Sequence, residues 1–310
     1  MSALLNEDLL ALQGMYQNFF RDSCSNGLLG LPVNMQKTFF SGKIKDRYKR
    51  YFLGDILHRY DLWKQRTDNL YPAETLISPL VGNPFGYTRD GVFIRSGADY
   101  HHYYAHAIKQ QLEPGKDHVI AELGAGFVGM AYYLLRDQSR LSYVDFDLPE
   151  ALALASYYLM KALPNHPITL YGEADFSKAS FGGSGIFMMP SFEITKMPAK
   201  SVSVSFNSYS LAEMSPSTIS VYIEEIATIT SNSFLHVNHT RNAIVSADNF
   251  GVEEHGFALA KRHFAGWTLG INPKSDEFEY LYKAKPITGE GPASSQDQTL
   301  FNNPERAVVN

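Results

Sequence analysis

The sequence predicts an α/β fold: a doubly wound, mostly parallel sheet with a C-terminal antiparallel hairpin strand, preceded by a helical segment. Three patterns predict it. Residues 119–135 run from a short apolar stretch into glycines and then resume with helical spacing, which reads as a buried strand, a tight turn and a helix. From there to about residue 240, strand-like runs alternate with helical ones, the signature of a parallel sheet covered on both faces. Near the end, residues 266–271 and 278–283 are extended runs joined by Asn272-Pro-Lys-Ser-Asp276. A hairpin of that kind makes the edge strand antiparallel.

Taken in order, residues 3–23 carry leucines and aromatics at helical spacing and predict an amphipathic helix, and residues 45–65 predict a second. Closely spaced Gly and Pro in residues 80–87 forbid regular structure and predict an ordered loop. Residues 96–108 read as a capped helix leading to the glycine strand. The first 115 residues are thus expected to form a mostly helical front, an acceptor pocket or lid, ahead of a core over residues 116–286. Within that core, residues 141–147 are a strand ending in an acid, and residues 148–159 are the helix behind it, with Pro149 in the first turn where its missing N–H costs nothing. Residues 168–171, 201–206 and 234–238 are expected strands, and residues 217–229 and 252–264 expected helices. The polar stretch 287–310 lacks an apolar period and is expected to be a flexible tail.

Composition narrows the function classes. A chain of 310 residues, 45% of them hydrophobic, can bury a full core. A net charge of −5 leaves no basic footprint, which argues against nucleic acid as a main partner and favours a small or uncharged substrate. Cys24 is the only cysteine, which excludes an intrachain disulfide and a cysteine metal cluster and agrees with a reducing compartment. With no basic, apolar leader pattern and no apolar run of membrane length, the expected location is the cytoplasm; a homo-oligomer is compatible with all of this.

The chemistry concentrates at the glycine turn. Gly124 and Gly126 let the main chain bend sharply and admit a ligand close to it, Gly129 lets the helix pack closely, and the free N–H groups at the helix start favour negative charge. Gly-x-Gly-x-x-Gly alone is shared by nicotinamide, flavin and methyl-donor enzymes. Glu122 divides them, because a carboxylate at the end of a buried strand calls for a cationic partner. A pyrophosphate would crowd two anions into one turn, so an NAD-dependent oxidoreductase is the weaker alternative. S-adenosylmethionine offers an ammonium to Glu122 and a carboxylate to the helix N-terminus. Asp147, 23 residues after Gly124, can accept both hydroxyls of a ribose, with Asp145 as a second candidate. Asp147-x-x-Glu150 also fits a capping box; the glycine turn favours the ribose. After the third strand, Asp175 could receive the adenine amino group and Phe176 could wall the ring.

Glu122-Leu-Gly-Ala-Gly126, Asp147-Leu-Pro149, Asp175 and the terminal hairpin together resemble class I S-adenosylmethionine-dependent methyltransferases over residues 115–285. More narrowly, the aromatic helix from Tyr48 to Trp63, Val81-Gly-Asn-Pro-Phe-Gly-Tyr87, Tyr157-Tyr-Leu159, Asn207-Ser-Tyr-Ser-Leu-Ala-Glu-Met214 and Phe234-Leu-His-Val-Asn-His239 are similar to the bacterial sugar O-methyltransferase family. The resemblance implies a Rossmann-like core, S-adenosylmethionine as cofactor, and Glu122, Gly124, Gly126, Asp147 and Asp175 in its site. The same turn and strand ends would bring Ala125, Phe127, Leu148 and Asn207 to the cofactor, with Tyr100 and Tyr104 closing over it from the front.

Methyl transfer from a sulfonium to a hydroxyl needs alignment, exclusion of water and a base. The polar residues after the fourth and fifth strands are Asn207, Glu213, His236 and His239. His236 or His239 is the expected base, with Glu213 orienting it or binding the acceptor; against this, His236 alternates with Leu235 and Val237 and could simply pack in the core. The pairs His102/His106 and His236/His239 lack a carboxylate at a recognised metal spacing, so no metal ligand is assigned. The expected reaction is transfer of a methyl group to an oxygen of a sugar or other small molecule. A non-catalytic protein that keeps the fold and binds the cofactor is a further alternative.

Overall fold

The computed structural model describes residues 2–28 and 33–286, so the tail expected over 287–310 lies outside the described residues. The helices are α1 (Ser2–Leu5), α2 (Leu9–Gln17), α3 (Val33–Phe40), α4 (Asp46–Arg66), α5 (Ala98–Lys109), α6 (Gly129–Arg136), α7 (Pro149–Ala162) and α8 (Pro216–Ile229). The strands are β1 (Gly86–Arg89), β2 (Val92–Arg95), β3 (His118–Leu123), β4 (Leu141–Asp147), β5 (Ile168–Leu170), β6 (Ile186–Pro190), β7 (Val202–Ser208), β8 (Thr230–His239), β9 (Phe257–Phe264) and β10 (Glu277–Ala284). β1 and β2 form a small hairpin in the front segment, and the other eight strands form one sheet in the order β5-β6-β4-β3-β7-β8-β10-β9.

From β5 to β8 the sheet is parallel, and β10 runs antiparallel to both β8 and β9. This is the doubly wound sheet expected from the sequence, with three differences. The segment 186–190 is a strand that the sequence reading did not find, and it lies between β5 and β4. The segment 252–264 is not helical: after a short 3-10 turn it forms the edge strand β9. The antiparallel strand is therefore β10, one place in from the edge, and the expected extended run at 266–271 is the connection between the two. In the front segment, the single helix expected over 3–23 is broken into α1, α2 and two 3-10 turns, with Glu7 in the left-handed region at the first break.

Local chemistry explains where the long helices start and stop. α4 has Asp46 in its first turn and Lys64 and Arg66 in its last, complementing the helix dipole. α7 begins on Pro149, and the Ser215 side chain caps α8 by accepting from the Thr218 amide.

Successive side chains of a strand point to opposite faces, and the sheet accordingly divides two apolar layers. On one face Ile120, Tyr143, Met188, Phe206, Leu235 and Val237 pack with α4, α5, α6 and α7 and with Phe19, Phe20 and Trp267 from the flanking segments. On the other, Ala121, Phe146, Met189, Phe234 and Tyr282 pack with α8 and the turns around Ile194 and Phe250. The front segment thus shares the core of the first face. Trp63 and Trp267, both with almost no exposed surface, each contribute roughly 2–3 kcal/mol of burial to it.

Candidate functional site

The carboxyl ends of β3, β4, β7 and β8 meet around the turn between β3 and α6. Gly124 has φ +72° and its amide donates to the Phe146 carbonyl at 2.9 Å, tying the turn to β4. A Cβ at Gly124 would collide with the Ser210 side chain, and one at Gly126 would stand 2.9 Å from the Leu28 carbonyl oxygen. A Cβ at Gly129 would strike Phe127 and His101, so this glycine makes room for α5. Val128, the residue before α6, is a β-branched residue at φ +60° and fully buried, a costly backbone state of the sort held at functional turns.

Beneath the turn lies an acidic cluster on the face that packs α5 and α6. Glu122 is buried and one of its oxygens accepts from the Tyr143 hydroxyl at 2.6 Å. Burial, and secondarily the charge of Asp147, outweigh that hydrogen bond and push its carboxyl up to about 8. Asp145, paired in register with Glu122, has no exposed surface and lies near the Ala125 amide without a hydrogen bond of normal geometry to either oxygen. Burial raises it strongly, and the charges of Asp147 and Glu122 add to the rise. Asp147 accepts from the amides of Gly126 at 2.9 Å and Leu148 at 2.7 Å. It does not complete a box with Glu150: the residue preceding α7 is Leu148, with no side-chain cap. No cation contacts these three carboxylates among the described residues, an arrangement that burial makes costly until a positive partner arrives.

The neighbouring strand ends carry a histidine–carboxylate pair. His239 Nδ1 lies 3.1 Å from Asp276 Oδ1, on the residue preceding β10, and the His239 side chain is 30% exposed. Burial would raise the Asp276 carboxyl, but amides of Asn242 and Arg241 and the His239 ring all donate to it and hold it below its ordinary value. An ionised Asp276 only accepts, so Nδ1 carries a ring proton directed at it and Nε2 is the nitrogen left facing away from Asp276. Tyr209, at φ +64°, lies 5.2 Å from the His239 ring and 6.1 Å from Tyr100, and its hydroxyl donates to Glu277 at 3.1 Å. With Ser210 against Gly124, the loop after β7 connects the glycine turn to His239.

Strand parity separates the two candidate histidines. His239 faces the same layer as Glu122, whereas His236 faces the opposite layer, with no exposed surface, its ring stacked 4.5 Å from Tyr280 and 5.4 Å from Phe250. Burial holds it neutral, down to about 3, and Nε2 has no hydrogen-bond partner. His236→Phe should therefore leave turnover within about twofold; it removes the unpartnered Nε2 but also the 3.3 Å contact of Nδ1 with the Asn238 side-chain amide, so the unfolding midpoint should change little; thermal unfolding and initial rates check this.

Other expected site residues are used differently. Asn207 shares the far face: it donates to the Leu123 carbonyl and Ser210 and accepts from Asn238, so its amide ties three strand ends together. Phe176 packs on Phe146, Phe181 and Phe187 in the core instead of walling a ligand. Asp175 is exposed; hydrogen bonds from Lys178 and Ser177 pull it down to about 2. Because β6 intervenes, Asp175 follows a strand one place removed from β4. Tyr104 has no exposed surface and its hydroxyl accepts from Trp267, while Tyr100 donates to Ser208 at 2.9 Å. Glu213 is exposed, and the carboxylate beside His239 is Asp276. Leu148 is 62% exposed and Phe127 is buried against Phe19 and Phe20. Asp276 and Tyr209 were not singled out from the sequence; the first sits in a loop whose partner is 37 residues away, and no local spacing marks it.

No family model matches the chain, and no curated protein matches it in sequence. Among solved structures it is similar to magnesium protoporphyrin IX methyltransferase (ChlM) from Synechocystis, with TM-score 0.42 and 10% identity over 60% of this chain and 77% of that one. It is also similar to the mitomycin 7-O-methyltransferase MmcR, with TM-score 0.41 and 12% identity over 61% of this chain and 56% of that one. A third is the CurJ carbon methyltransferase, with TM-score 0.41 and 12% identity over 60% of this chain and 54% of that one. The chain spans little more than half the length of the last two.

Proposed function

We propose that this chain, whose sheet has the class I methyltransferase architecture, is an S-adenosylmethionine-dependent methyltransferase acting on a hydroxyl oxygen of a sugar or other small molecule. The observation that carries the reading is Glu122: a buried carboxylate under a glycine turn, hydrogen-bonded to Tyr143 and contacted by no cation among the described residues. A dinucleotide pyrophosphate would add negative charge to this cluster. The ammonium of a methionine tail would neutralise it. Asp147 holds Gly126 and Leu148 with one hydrogen bond to each oxygen, and each oxygen keeps acceptor capacity for a ribose hydroxyl.

When bound, S-adenosylmethionine supplies an electrophilic methyl group on a sulfonium sulfur. Glu122 and Asp147 orient it, and the buried layer of Tyr100, Tyr104 and Trp267 keeps water from its front. His239 Nε2 takes the proton of the acceptor hydroxyl, Asp276 stabilises the imidazolium that results, and Tyr209 limits the ring's rotation.

Asp147→Ala is expected to weaken S-adenosylmethionine binding by on the order of 10- to 100-fold, the loss of charge-assisted bonds to a diol. Isothermal titration calorimetry of the variant measures it, and equal affinity for NADH in the wild-type chain would overturn the methyl-donor reading. Screening hydroxylated acceptors with radiolabelled donor then tests the reaction itself, and a wild-type chain that binds the donor yet labels none would favour a non-catalytic role.

A further inference from the structure

The whole-chain charge of −5 conceals one strongly basic stretch. Between residues 37 and 50 stand Lys37, Lys43, Lys45, Arg47, Lys49 and Arg50 against the single carboxylate of Asp46, a net of +5, which leaves −10 on the remainder of the chain. All these cations are exposed, and at the start of α4 every residue from Asp46 to Gly54 except Phe52 is exposed. The charges do not serve the helix. Arg47, Lys49 and Arg50 sit in its first turns, where the dipole favours anions. Among the described residues, the one ion pair that any of these cations makes is Lys49 with Asp46 at 3.3 Å, on the surface. Apolar side chains are interleaved with them: Tyr48 and Tyr51 are 44% exposed, Leu53 51% and Leu57 44%. Arg50, Leu53 and Leu57 line one exposed side at helical spacing. Arg47 donates to the Tyr48 hydroxyl at 2.8 Å, with its guanidinium 4.6 Å from the ring centre. Beneath, Phe52 packs 4.6 Å from Phe39, and Phe40 stacks 5.0 Å from Phe85, so aromatic contacts hold the projecting end.

We propose that the basic, aromatic start of α4, with the turn from Lys43 to Lys45, docks on the surface of an anionic lipid bilayer. Lysine and arginine are drawn to anionic headgroups, tyrosines settle at headgroup level, and Leu53 and Leu57 enter the hydrocarbon boundary. Nucleic acid would satisfy the cations but offers nothing to the leucines, and the −10 on the remainder of the chain repels a long polyanion. A flat membrane meets the projecting end alone. Two copies paired patch to patch would set +5 against +5. The docking end also leads to the acceptor side. Further along α4, Asp55 abuts Gly270 and His58 Nε2 donates to the Gly266 carbonyl at 2.8 Å, both in the connection that leads to Asp276. Docking is independent of the methyl donor, so its failure leaves the methyltransferase reading standing.

Sedimentation of the full chain with lipid vesicles tests the proposal. Phosphatidylcholine vesicles containing about one-third phosphatidylglycerol should bind the chain roughly tenfold or more tightly than phosphatidylcholine alone, and the advantage should shrink as salt rises. Lys45→Glu, Arg47→Glu and Arg50→Glu together should weaken binding by on the order of 100-fold. Leu53→Ser with Leu57→Ser should weaken it by on the order of tenfold and leave the salt dependence in place. Lys161→Glu, at an exposed cation on α7, should change it by less than about twofold. Every substituted position is exposed, so the unfolding midpoints should match the wild type. A wild-type chain with no preference for anionic vesicles, or a charge-reversed variant that binds them as well, overturns the proposal. So does a chain that ignores the vesicles but, through the same cations, binds a single-stranded oligoribonucleotide or forms a dimer in analytical ultracentrifugation.

Discussion

His239→Ala is expected to slow methyl transfer to a hydroxyl acceptor by roughly a hundredfold to ten-thousandfold, the range for loss of a positioned base, with donor affinity unchanged. The separation of the two effects follows from placement. His239 ends β8, whereas the residues held to the glycine turn by hydrogen bonds, Asp147 and Phe146, end β4. Asp276→Asn should lower the rate by a smaller factor, because an asparagine oxygen can still orient Nδ1 but carries no charge to stabilise the imidazolium. That substitution also weakens the bonds to the amides of Arg241 and Asn242, so its unfolding midpoint must be read beside its rate. Single-turnover rates with saturating donor make the comparison, and a His239→Ala chain that turns over at the wild-type rate eliminates the base.

Glu122→Gln is expected to cost donor affinity by on the order of 100-fold, through loss of a buried charge-assisted contact, while stabilising the ligand-free chain above neutrality. The sign follows from its raised carboxyl. Folding moves Glu122 from its ordinary 4.5 up to about 8, so the folded state holds a proton that the unfolded chain gives up. Its contribution is fully present below pH 4.5 and is lost as pH rises through about 8. At about 1.4 kcal/mol per tenfold, the ceiling is roughly 4–5 kcal/mol for this group alone. Glutamine keeps an acceptor for the Tyr143 hydroxyl and removes the titration. The wild-type unfolding midpoint should therefore decline from mildly acid to mildly alkaline pH more steeply than that of the variant. Donor binding needs the ionised form, so below pH 8 the wild type should release a proton on binding and gain affinity as pH rises. Calorimetry in two buffers of different ionisation enthalpy counts that proton, and a wild-type value of zero near pH 7 contradicts the assignment.

What could be read from the sequence was local. The β3 turn, the acid ending β4, α4 and α7 each announce themselves within a few residues, through glycine spacing, apolar period or a proline at the helix start. β6 did not, because its five residues, Ile186–Pro190, are continuously apolar and follow a glycine-rich stretch. That omission set Asp175 beside β4, where the extra strand now stands. Ala258, Leu259, Ala260, Lys261 and Arg262 all favour helices, so the local pattern at β9 points to a helix; they lie exposed at the sheet edge, and pairing with β10 overrides propensity there. The choice between His236 and His239 turned on strand parity, which needs the true register. The Asp276 partnership is long-range, and local pattern carries no trace of it.

The three glycines of the turn each face a neighbour from the chain's own body: Ser210, the Leu28 carbonyl, and His101 with Phe127. Selection for folding alone would therefore preserve them. A descendant that had given up chemistry would still carry the same fingerprint, and any degeneration would surface first at Glu122, a buried carboxylate that nothing in the apolar layers requires.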